Sequence, residues 1–206
     1  MRFYRPFFLL RLLFPNALFR LRTRDKLLCL TFDDGPDPET TPLILDILET
    51  HGVKAAFFCS GKLAEEHPEL MSLIKSKGHI IGNHGYHHLD GWKTISRVYL
   101  RNFSISAAFT STTLLRPPYG RFRPFQYREL AEKYRIVFWD LMPCDFDKKI
   151  AGAKVLDILK EKVRPGSIIV LHDTVCSSVL SFLNEFIDYA LTAGYGFVTL
   201  PVSGKE

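Results

Sequence analysis

Residues 29–36 read CLTFDDGP: an apolar run ends in two adjacent aspartates, Asp33 and Asp34, and a Gly-Pro turn follows at once. The apolar run is typical of a buried strand in a parallel sheet. Two neighbouring carboxylates at the end of such a strand repel each other, and holding their charge near a low-dielectric core costs free energy. The stretch therefore predicts a buried strand that ends at a functional site, where a cation offsets the charge of the carboxylates.

The rest of the chain alternates between apolar, strand-like runs and segments whose apolar residues recur at helical spacing. The predicted strands are residues 27–32, 53–59, 79–81, 113–115, 135–141, 167–171 and 196–200. The predicted helices are residues 41–51, 63–77, 93–109, 123–133, 153–162 and 179–193. Strands that alternate with helices imply a parallel sheet. We therefore expect an α/β fold, a distorted, seven-stranded (β/α) barrel, with an open doubly wound sheet as the alternative.

Composition indicates a folded, single-domain protein. The chain has 206 residues, of which 47% are hydrophobic, enough for one domain with a sizeable core. The net charge of +5 comes from residues 1–24, which hold six arginines and no acidic residue, whereas the rest has 21 basic and 22 acidic side chains. This nearly neutral body argues against a nucleic-acid partner. The four scattered cysteines argue against a disulfide framework or a structural zinc knot and favour a reduced compartment.

Residues 1–24 form a basic, amphipathic segment that precedes the predicted barrel domain, residues 25–206. Arg11 interrupts the apolar run, no small-x-small cleavage site follows, and the run is too short to span a bilayer as a helix. We expect the segment to pack on the barrel; the alternatives are peripheral membrane contact and an atypical export signal. A cytoplasmic or peripheral membrane location is therefore preferred over secretion, and the oligomeric state stays open.

Polar motifs follow several of the predicted strands. NHGYHH comes after the third strand, RPPYG after the fourth, DLMPCDFD after the fifth and LHD after the sixth. In parallel α/β folds the active site forms at the carboxyl ends of the strands, which lie on one rim. We therefore expect these motifs to meet the two aspartates of the first strand, although they are far apart in sequence.

The second motif provides candidate metal ligands. His84 and His88 are four residues apart, a spacing that can direct two imidazoles at one cation. Two histidines and one carboxylate, from Asp34 or Asp33, make a common open zinc site that leaves positions for water and substrate. The other aspartate then stays free to act as a base. His87 leaves open an alternative pair with His84.

The later motifs provide candidate proton carriers and charge partners. His172 ends an apolar strand and is the residue type that acts most often as a general acid near neutral pH; a carboxylate such as Asp145 would orient it and raise its pKa. Arg116 would hold the free aspartate ionised through a paired hydrogen bond. The rigid turn at Pro118 would present the Tyr119 backbone N–H to a developing oxyanion.

TFDDGP, HGYHH, RPPYG, DFD and LHD resemble, in order and context, the five motifs of the polysaccharide deacetylases, the chitooligosaccharide-deacetylase-like carbohydrate esterases. The resemblance covers residues 27–200. It implies a distorted (β/α) barrel and metal-dependent removal of acetyl groups from N-acetylated sugars. The alternatives are an amidase or imidase that acts on a non-sugar C–N bond on the same scaffold, and a binding protein with a degenerate site, which the intact ligand set disfavours.

The resemblance also implies a role for each site residue. The implied metal ligands are Asp34, His84 and His88, and the metal is zinc, cobalt or another divalent ion. The implied catalytic residues are Asp33 as the base, His172 as the acid, Arg116 beside the base and Asp145 beside the acid, and the implied substrate contacts are Tyr119, Leu171, Phe146 and Pro118.

Two residues depart from the pattern of the family. Gly85 occupies a position where the family usually has Ser or Thr, so a hydroxyl that would brace the histidine loop is lost. We expect weaker metal binding or another group that braces the loop. Phe146 replaces a usual Trp, which keeps a pocket wall but loses an indole donor. Trp92 and Tyr86 flank the second motif and would either stack on a sugar ring or serve local packing.

Overall fold

The structure, a computed structural model, describes residues 4–201. Its strands are β1 (Leu27–Asp33), β2 (Ala56–Cys59), β3 (Ile80–Asn83), β4 (Leu114–Leu115), β5 (Arg135–Ile136), β6 (Ile168–His172) and β7 (Gly196–Phe197). Its α-helices are α1 (Phe8–Leu13), α2 (Thr41–Thr50), α3 (Gly61–Glu66), α4 (Pro68–Ser76), α5 (Ser96–Thr110), α6 (Pro124–Ala131), α7 (Gly152–Lys162) and α8 (Leu183–Thr192). The predicted segment 1–24 and the predicted domain 25–206 both extend beyond the described residues, by residues 1–3 and 202–206.

The strands form a parallel sheet that curls towards closure. Neighbouring strands follow the order β5-β4-β3-β2-β1-β6, and β7 pairs with the start of β1. The two edges of the sheet meet, because Leu141, which lies beyond β5, forms a parallel bridge with Ile169 of β6. The predicted distorted (β/α) barrel with seven strands is therefore confirmed, and the open doubly wound alternative is not adopted.

The N-terminal segment fills the remaining gap between β5 and β6. Leu18 forms a parallel bridge with Val137, and Arg20 forms an antiparallel bridge with Ser167. These contacts satisfy backbone groups that the two edges would otherwise leave unpaired. The described residues of this segment therefore pack on the barrel, which was the first of the three expectations for it.

Two predicted elements differ from the observed ones for local reasons. The predicted helix 63–77 is two helices, α3 and α4, that meet at Pro68. Proline lacks the backbone N–H that would continue the preceding helix. It is well suited to the first turn of a new helix, where that N–H has no partner within the helix. The predicted strand 135–141 is paired as a strand only at Arg135–Ile136, because the following residues bridge to the N-terminal segment and to β6.

Successive side chains of β1 alternate between the apolar core under the helices and the interior of the barrel. Leu30 and Phe32 face the helices and lie in the largest apolar cluster. Cys29 packs in the barrel interior against apolar residues of the other strands, and Thr31 and Asp33, which share its face, reach a buried guanidinium there. Successive side chains of a strand point to opposite faces, so the strand is buried on both faces yet delivers Asp33 to the rim.

The residues on both sides of α1 are anchored to the barrel. Phe14 is 5% exposed, and its ring packs at 5.0 Å from Phe122 and at 5.7 Å from Phe138, measured between ring centroids. Arg5 donates a hydrogen bond to the carboxylate of Asp140, which is buried. Apolar packing and a buried ion pair therefore hold this segment on the barrel.

Most apolar side chains of α1 itself face outward, although Leu10 packs against the core. Phe8 is 63% exposed, and Leu12 and Leu13 are exposed as well. Within residues 4–201, no helix combines the length and the apolar character that crossing a bilayer requires. An exposed apolar helix beside a packed anchor is a surface feature that the fold alone does not explain.

We expect Phe14→Ala to lower the free energy of unfolding by about 3–5 kcal/mol, because it leaves a cavity among packed aromatic rings. Phe8→Ala on the same segment is the matched control and should change the free energy of unfolding by less than about 0.5 kcal/mol. Urea unfolding followed by circular dichroism measures both variants. Equal stability of the two variants would show that the N-terminal segment is not part of the core.

Candidate active site

A cavity of about 350 Å³ lies at the carboxyl ends of the strands. The residues predicted for chemistry that line it are Asp33, Asp34, His84, His88, Tyr119, Phe146 and His172. A wider depression of about 590 Å³ lies beside the start of β3 and residues 110–113, and Lys75 is its one charged side chain. The motifs that were predicted to converge at one rim therefore line this cavity, which holds several carboxylates and imidazoles, and not the wider depression.

Asp34, His84 and His88 form a compact cluster. Oδ1 of Asp34 lies 3.4 Å from Nε2 of His84 and 3.3 Å from Nε2 of His88. Each of the three residues has one potential ligand atom within 4.8 Å of the others. The sequence left open whether His87 or His88 pairs with His84, and the structure brings His88, not His87, to the cluster.

Hydrogen bonding and burial prepare these three residues to hold a cation. The ring of His84 is fixed by a contact of 2.8 Å between Nδ1 and the Arg116 carbonyl oxygen, so Nδ1 donates and Nε2 keeps its lone pair. Burial and the neighbouring His84 lower the pKa of His88, which favours a neutral imidazole. Burial opposes ionisation of Asp34, yet the positive charge that His84, His172 and His88 carry when protonated holds the pKa of Asp34 well below its usual range.

An unsatisfied atom shows that the cluster fits a metal ion. Oδ1 of Asp34 is buried and has no hydrogen-bond partner among the described residues. Leaving a buried acceptor unpaired costs about 1–3 kcal/mol, and more for a charged group. A divalent cation between Asp34, His84 and His88 would satisfy this oxygen, and these three donors leave coordination positions for water and substrate.

Asp33 is held by a buried guanidinium. Nη1 of Arg116 donates to Oδ1 of Asp33 at 2.6 Å and lies 2.7 Å from the Thr31 hydroxyl. The remaining donors of Arg116 reach the carbonyl oxygens of Val137 and Phe138. Because every part of the guanidinium is engaged inside the barrel, its charge offsets that of Asp33, and the two adjacent aspartates differ in their partners.

His172 and Asp145 form a second oriented pair. Nδ1 of His172 lies 2.9 Å from Oδ1 of Asp145, and Oδ2 accepts hydrogen bonds from the His172 backbone N–H at 2.8 Å and the Ser177 hydroxyl at 2.6 Å. Burial alone lowers the pKa of His172, but the Asp145 carboxylate outweighs it, and the pKa is raised to about 9. His172 is therefore protonated at neutral pH and can donate a proton into the cavity.

Two of the predicted substrate contacts do not line the cavity. Leu171 is buried in the apolar cluster under the helices and pairs in register with Phe32. The strand alternation that directs His172 to the cavity directs Leu171 to the opposite face. Pro118 is buried, and its neighbour Pro117 lines the cavity in its place.

Three residues that the sequence did not single out line the same cavity: Arg121, Trp139 and Met142. Trp139 lies within the predicted fifth strand, and its ring fits against Gly120, where a Cβ would approach Trp139 Cη2 to 2.4 Å. The indole that Phe146 lacks is therefore present on another segment. The glycine of RPPYG was the available signal, because only a residue without a side chain allows that approach.

Asn102 of α5 braces the loop that carries the histidines. Its side-chain oxygen accepts from the His87 N–H and its amide donates to the His87 carbonyl, both at 2.8 Å. Gly85 has a φ of 81°, and a Cβ there would lie 2.5 Å from Asn102 Nδ2. Asn102 therefore braces the loop in place of a hydroxyl at position 85, and its side chain occupies the space that a side chain at that position would need.

The comparisons with known proteins agree with this geometry. The sequence profile of the polysaccharide deacetylase family matches residues 20–139, more than half of the chain. The chain therefore belongs to the polysaccharide deacetylase family, which confirms the resemblance and the predicted class of hydrolase.

Three relatives illustrate the similarity. A peptidoglycan-N-acetylglucosamine deacetylase of Bacillus cereus is 37% identical over 183 residues, which are 84% of this chain and 66% of the relative. A chitooligosaccharide deacetylase of Sinorhizobium fredii is 36% identical over 152 residues, 70% of each chain. The crystal structure of a peptidoglycan N-acetylglucosamine deacetylase superposes with a TM-score of 0.82 at 33% identity and covers 90% of this chain and 91% of that one. The chain thus spans about two thirds of the length of these curated relatives.

We expect Asn102→Ala to weaken metal binding by about 10–100-fold, because groups that orient metal ligands have effects of this size. Gly85→Ser should also weaken it, since the new side chain collides with Asn102 and requires a left-handed conformation. In the double variant Gly85→Ser/Asn102→Ala the new serine no longer collides with Asn102. Its loss of metal-binding free energy should therefore be smaller than the sum of the losses in the two single variants. Competition with a fluorescent chelator measures the affinity.

The matched control for these three variants is Ser104→Ala, on the exposed face of α5. It should bind metal as the unmodified protein does. Additive losses in the double variant, or unchanged affinity in Asn102→Ala, would contradict the assigned brace.

Proposed function

We propose that this polysaccharide deacetylase is a metal-dependent hydrolase that removes N-acetyl groups from amino sugars of a glycan and releases acetate. One observation carries the proposal: a cavity with a cluster suited to a cation also holds a carboxylate, Asp33, and a protonated imidazole, His172. Amide hydrolysis needs a base for the attacking water and an acid for the leaving amine, and the two groups supply these functions.

We further propose that the cation is zinc. Two imidazoles and one carboxylate, here His84, His88 and Asp34, are a donor set that zinc takes in open catalytic sites. The distances from Asp34 Oδ1 to the two imidazole nitrogens, 3.4 and 3.3 Å, support this assignment. Such an ion, when bound, would polarise the acetyl carbonyl and favour the deprotonation of water.

The residues of the chain divide the proton transfers between them. Asp33, paired with Arg116 through one carboxylate oxygen, would accept the proton of the attacking water at its other oxygen. His172, held by Asp145, would give its proton to the sugar nitrogen as the C–N bond breaks. The turn at Tyr119, at the cavity wall, would donate its backbone N–H to the developing oxyanion.

The relatives support a glycan substrate. The names of the two curated relatives give peptidoglycan N-acetylglucosamine and chitooligosaccharide as their substrates, and both contain N-acetylated amino sugars. In this chain Trp139 and Phe146 wall the cavity with aromatic rings, and aromatic walls with a few fixed polar groups are typical of small-molecule sites.

We expect Asp33→Asn to reduce kcat by about 10²–10⁴-fold, the contribution of a general base. Release of acetate from N-acetylglucosamine oligomers measures the activity. A chelator should abolish the activity of the unmodified protein, and zinc should restore it. Asp157→Asn, on the exposed face of α7, is the control and should keep full activity. Full activity of Asp33→Asn would refute the assigned base, and release of acetate only from non-sugar amides would favour the alternative amidase.

A pH profile tests the assigned acid. His172 donates a proton only while it is protonated, so kcat should fall as the pH rises through its pKa of about 9. Asp145→Asn removes the carboxylate that raises this pKa, so the alkaline limb should move to lower pH by about 1–3 units. An alkaline limb that stays in place in Asp145→Asn would contradict the role of the pair.

We also propose that α1 contacts an anionic lipid surface. Five of the fifteen exposed large hydrophobic side chains in the described chain belong to residues 7–13. Residues 4–24 include five arginines and no acidic residue; Arg5 and Arg11 pair with Asp140, whereas Arg22 and Arg24 are exposed. An apolar helix with arginines around it matches the interface of an anionic bilayer, where apolar side chains enter the headgroup region and cations bind phosphate.

We expect the protein to sediment with vesicles that contain phosphatidylglycerol, and the variant Phe8→Ser/Leu12→Ser to bind at least about tenfold more weakly, because each large apolar side chain contributes about 1.5–3 kcal/mol when buried. Leu43→Ser, an exposed leucine on α2, is the matched control and should bind normally. Equal binding by both variants, or no binding by the unmodified protein, would refute the membrane contact.

A further inference from the structure

The aromatic groups around the cavity continue beyond it. The ring of His88 lies 4.4 Å from the ring of Tyr119, measured between centroids. The guanidinium of Arg121 lies 5.9 Å from the centre of the Tyr119 ring and 4.9 Å from that of Trp92. The four groups therefore form a row that starts at the metal cluster and leads outward to Trp92, which does not itself line the cavity.

Trp92 ends this row as a fixed but exposed ring. It is 56% exposed, yet its indole N–H donates to the Phe122 carbonyl at 3.3 Å and its backbone N–H donates to Asp90 at 2.9 Å. Gly91 lets this loop approach closely, because a Cβ there would lie 2.4 Å from the Arg121 carbonyl oxygen. The loop thus holds a large apolar ring at the surface with its polar atom already satisfied.

We propose that Trp92 and Arg121 form an outer sugar-binding surface, which binds units of the glycan next to the unit that is deacetylated. The proposal rests on the deacetylase function argued above. It specifies the substrate as an oligosaccharide or polysaccharide chain that reaches from the cavity to Trp92, in contrast to a single amino sugar. We infer that a glycan occupies this surface because the row begins at His88 and Tyr119, which line the cavity where the glycan would be deacetylated.

The chemistry of the surface matches a neutral sugar. The C–H face of a pyranose ring packs on an exposed indole, and burying an aromatic side chain gives a large apolar contribution. Arg121 donates to Oδ2 of Asp90 at 2.9 Å, so its charge is already paired. A paired guanidinium offers hydrogen bonds to hydroxyl groups without selecting for an anionic ligand.

Tyr86, the other aromatic residue beside the histidine motif, lacks these features. Its hydroxyl donates to Glu65, its ring lies 6.0 Å from that of Phe109, and it does not line the cavity. Neither Tyr86 nor Trp92 lines the cavity, but only Trp92 is connected to it through Tyr119 and Arg121. Of the two flanking aromatics that the sequence indicated, the geometry therefore selects Trp92 and provides Tyr86 as a matched control.

The test compares kcat/KM for N-acetylglucosamine oligomers of increasing length, from the dimer to the hexamer. The unmodified protein should prefer the longer oligomers. Trp92→Ala should lose about tenfold in kcat/KM on the hexamer, the size of one aromatic contact, and should retain its activity on the dimer. Tyr86→Ala should keep both the activity and the preference for length.

Three outcomes would refute sugar binding at Trp92 and Arg121. A loss in Trp92→Ala that is equal at all lengths would indicate a structural effect on the cavity, and no loss on the hexamer would show that the ring does not bind sugar. A changed oligomeric state of Trp92→Ala in size-exclusion chromatography would assign the ring to a contact between copies of the chain. The absence of acetate release from every oligomer by the unmodified protein would instead refute the deacetylase function itself.

Discussion

Arg116 is the residue on which the rest of the site depends. Its side chain neutralises Asp33 inside the barrel, and its carbonyl oxygen fixes the ring of His84, a member of the metal-binding cluster. The carboxylate that would act as base and one of the ligands that would hold the cation are therefore positioned by a single residue, which directly follows β4. Removing a buried partner of this kind leaves an uncompensated charge, which is costly in a low-dielectric interior.

The two adjacent aspartates resolve their repulsion in different ways. Asp33 receives a guanidinium from within the barrel, while Asp34 faces outward to two imidazoles and keeps an unsatisfied oxygen. The opposite directions follow from the end of the strand, because Asp33 still belongs to β1 and Asp34 adopts a left-handed conformation, with φ of 77°. Two carboxylates with different proposed roles, one a base and one a metal ligand, can therefore be adjacent in sequence.

The sequence predicted the barrel and the residues at its rim, because strand patterns and polar strand ends are local features. It could not predict groups that depend on packing between distant segments. Asn102 braces the histidine loop from a helix that follows it, and Trp139 reaches the cavity only because its predicted strand stops pairing early. Leu171 was assigned to the pocket from the family pattern alone, whereas strand alternation places it in the core.

The proposed difference in role between the two aspartates is that Asp34 ligates the cation while Asp33 does not. Zinc content after equilibrium dialysis tests it directly, in the unmodified protein and in the variants Asp33→Asn and Asp34→Ala. We expect one zinc ion per chain in the unmodified protein and in Asp33→Asn, and a loss of zinc in Asp34→Ala. Loss of zinc in Asp33→Asn with retention in Asp34→Ala, or no zinc in the unmodified protein, would contradict it.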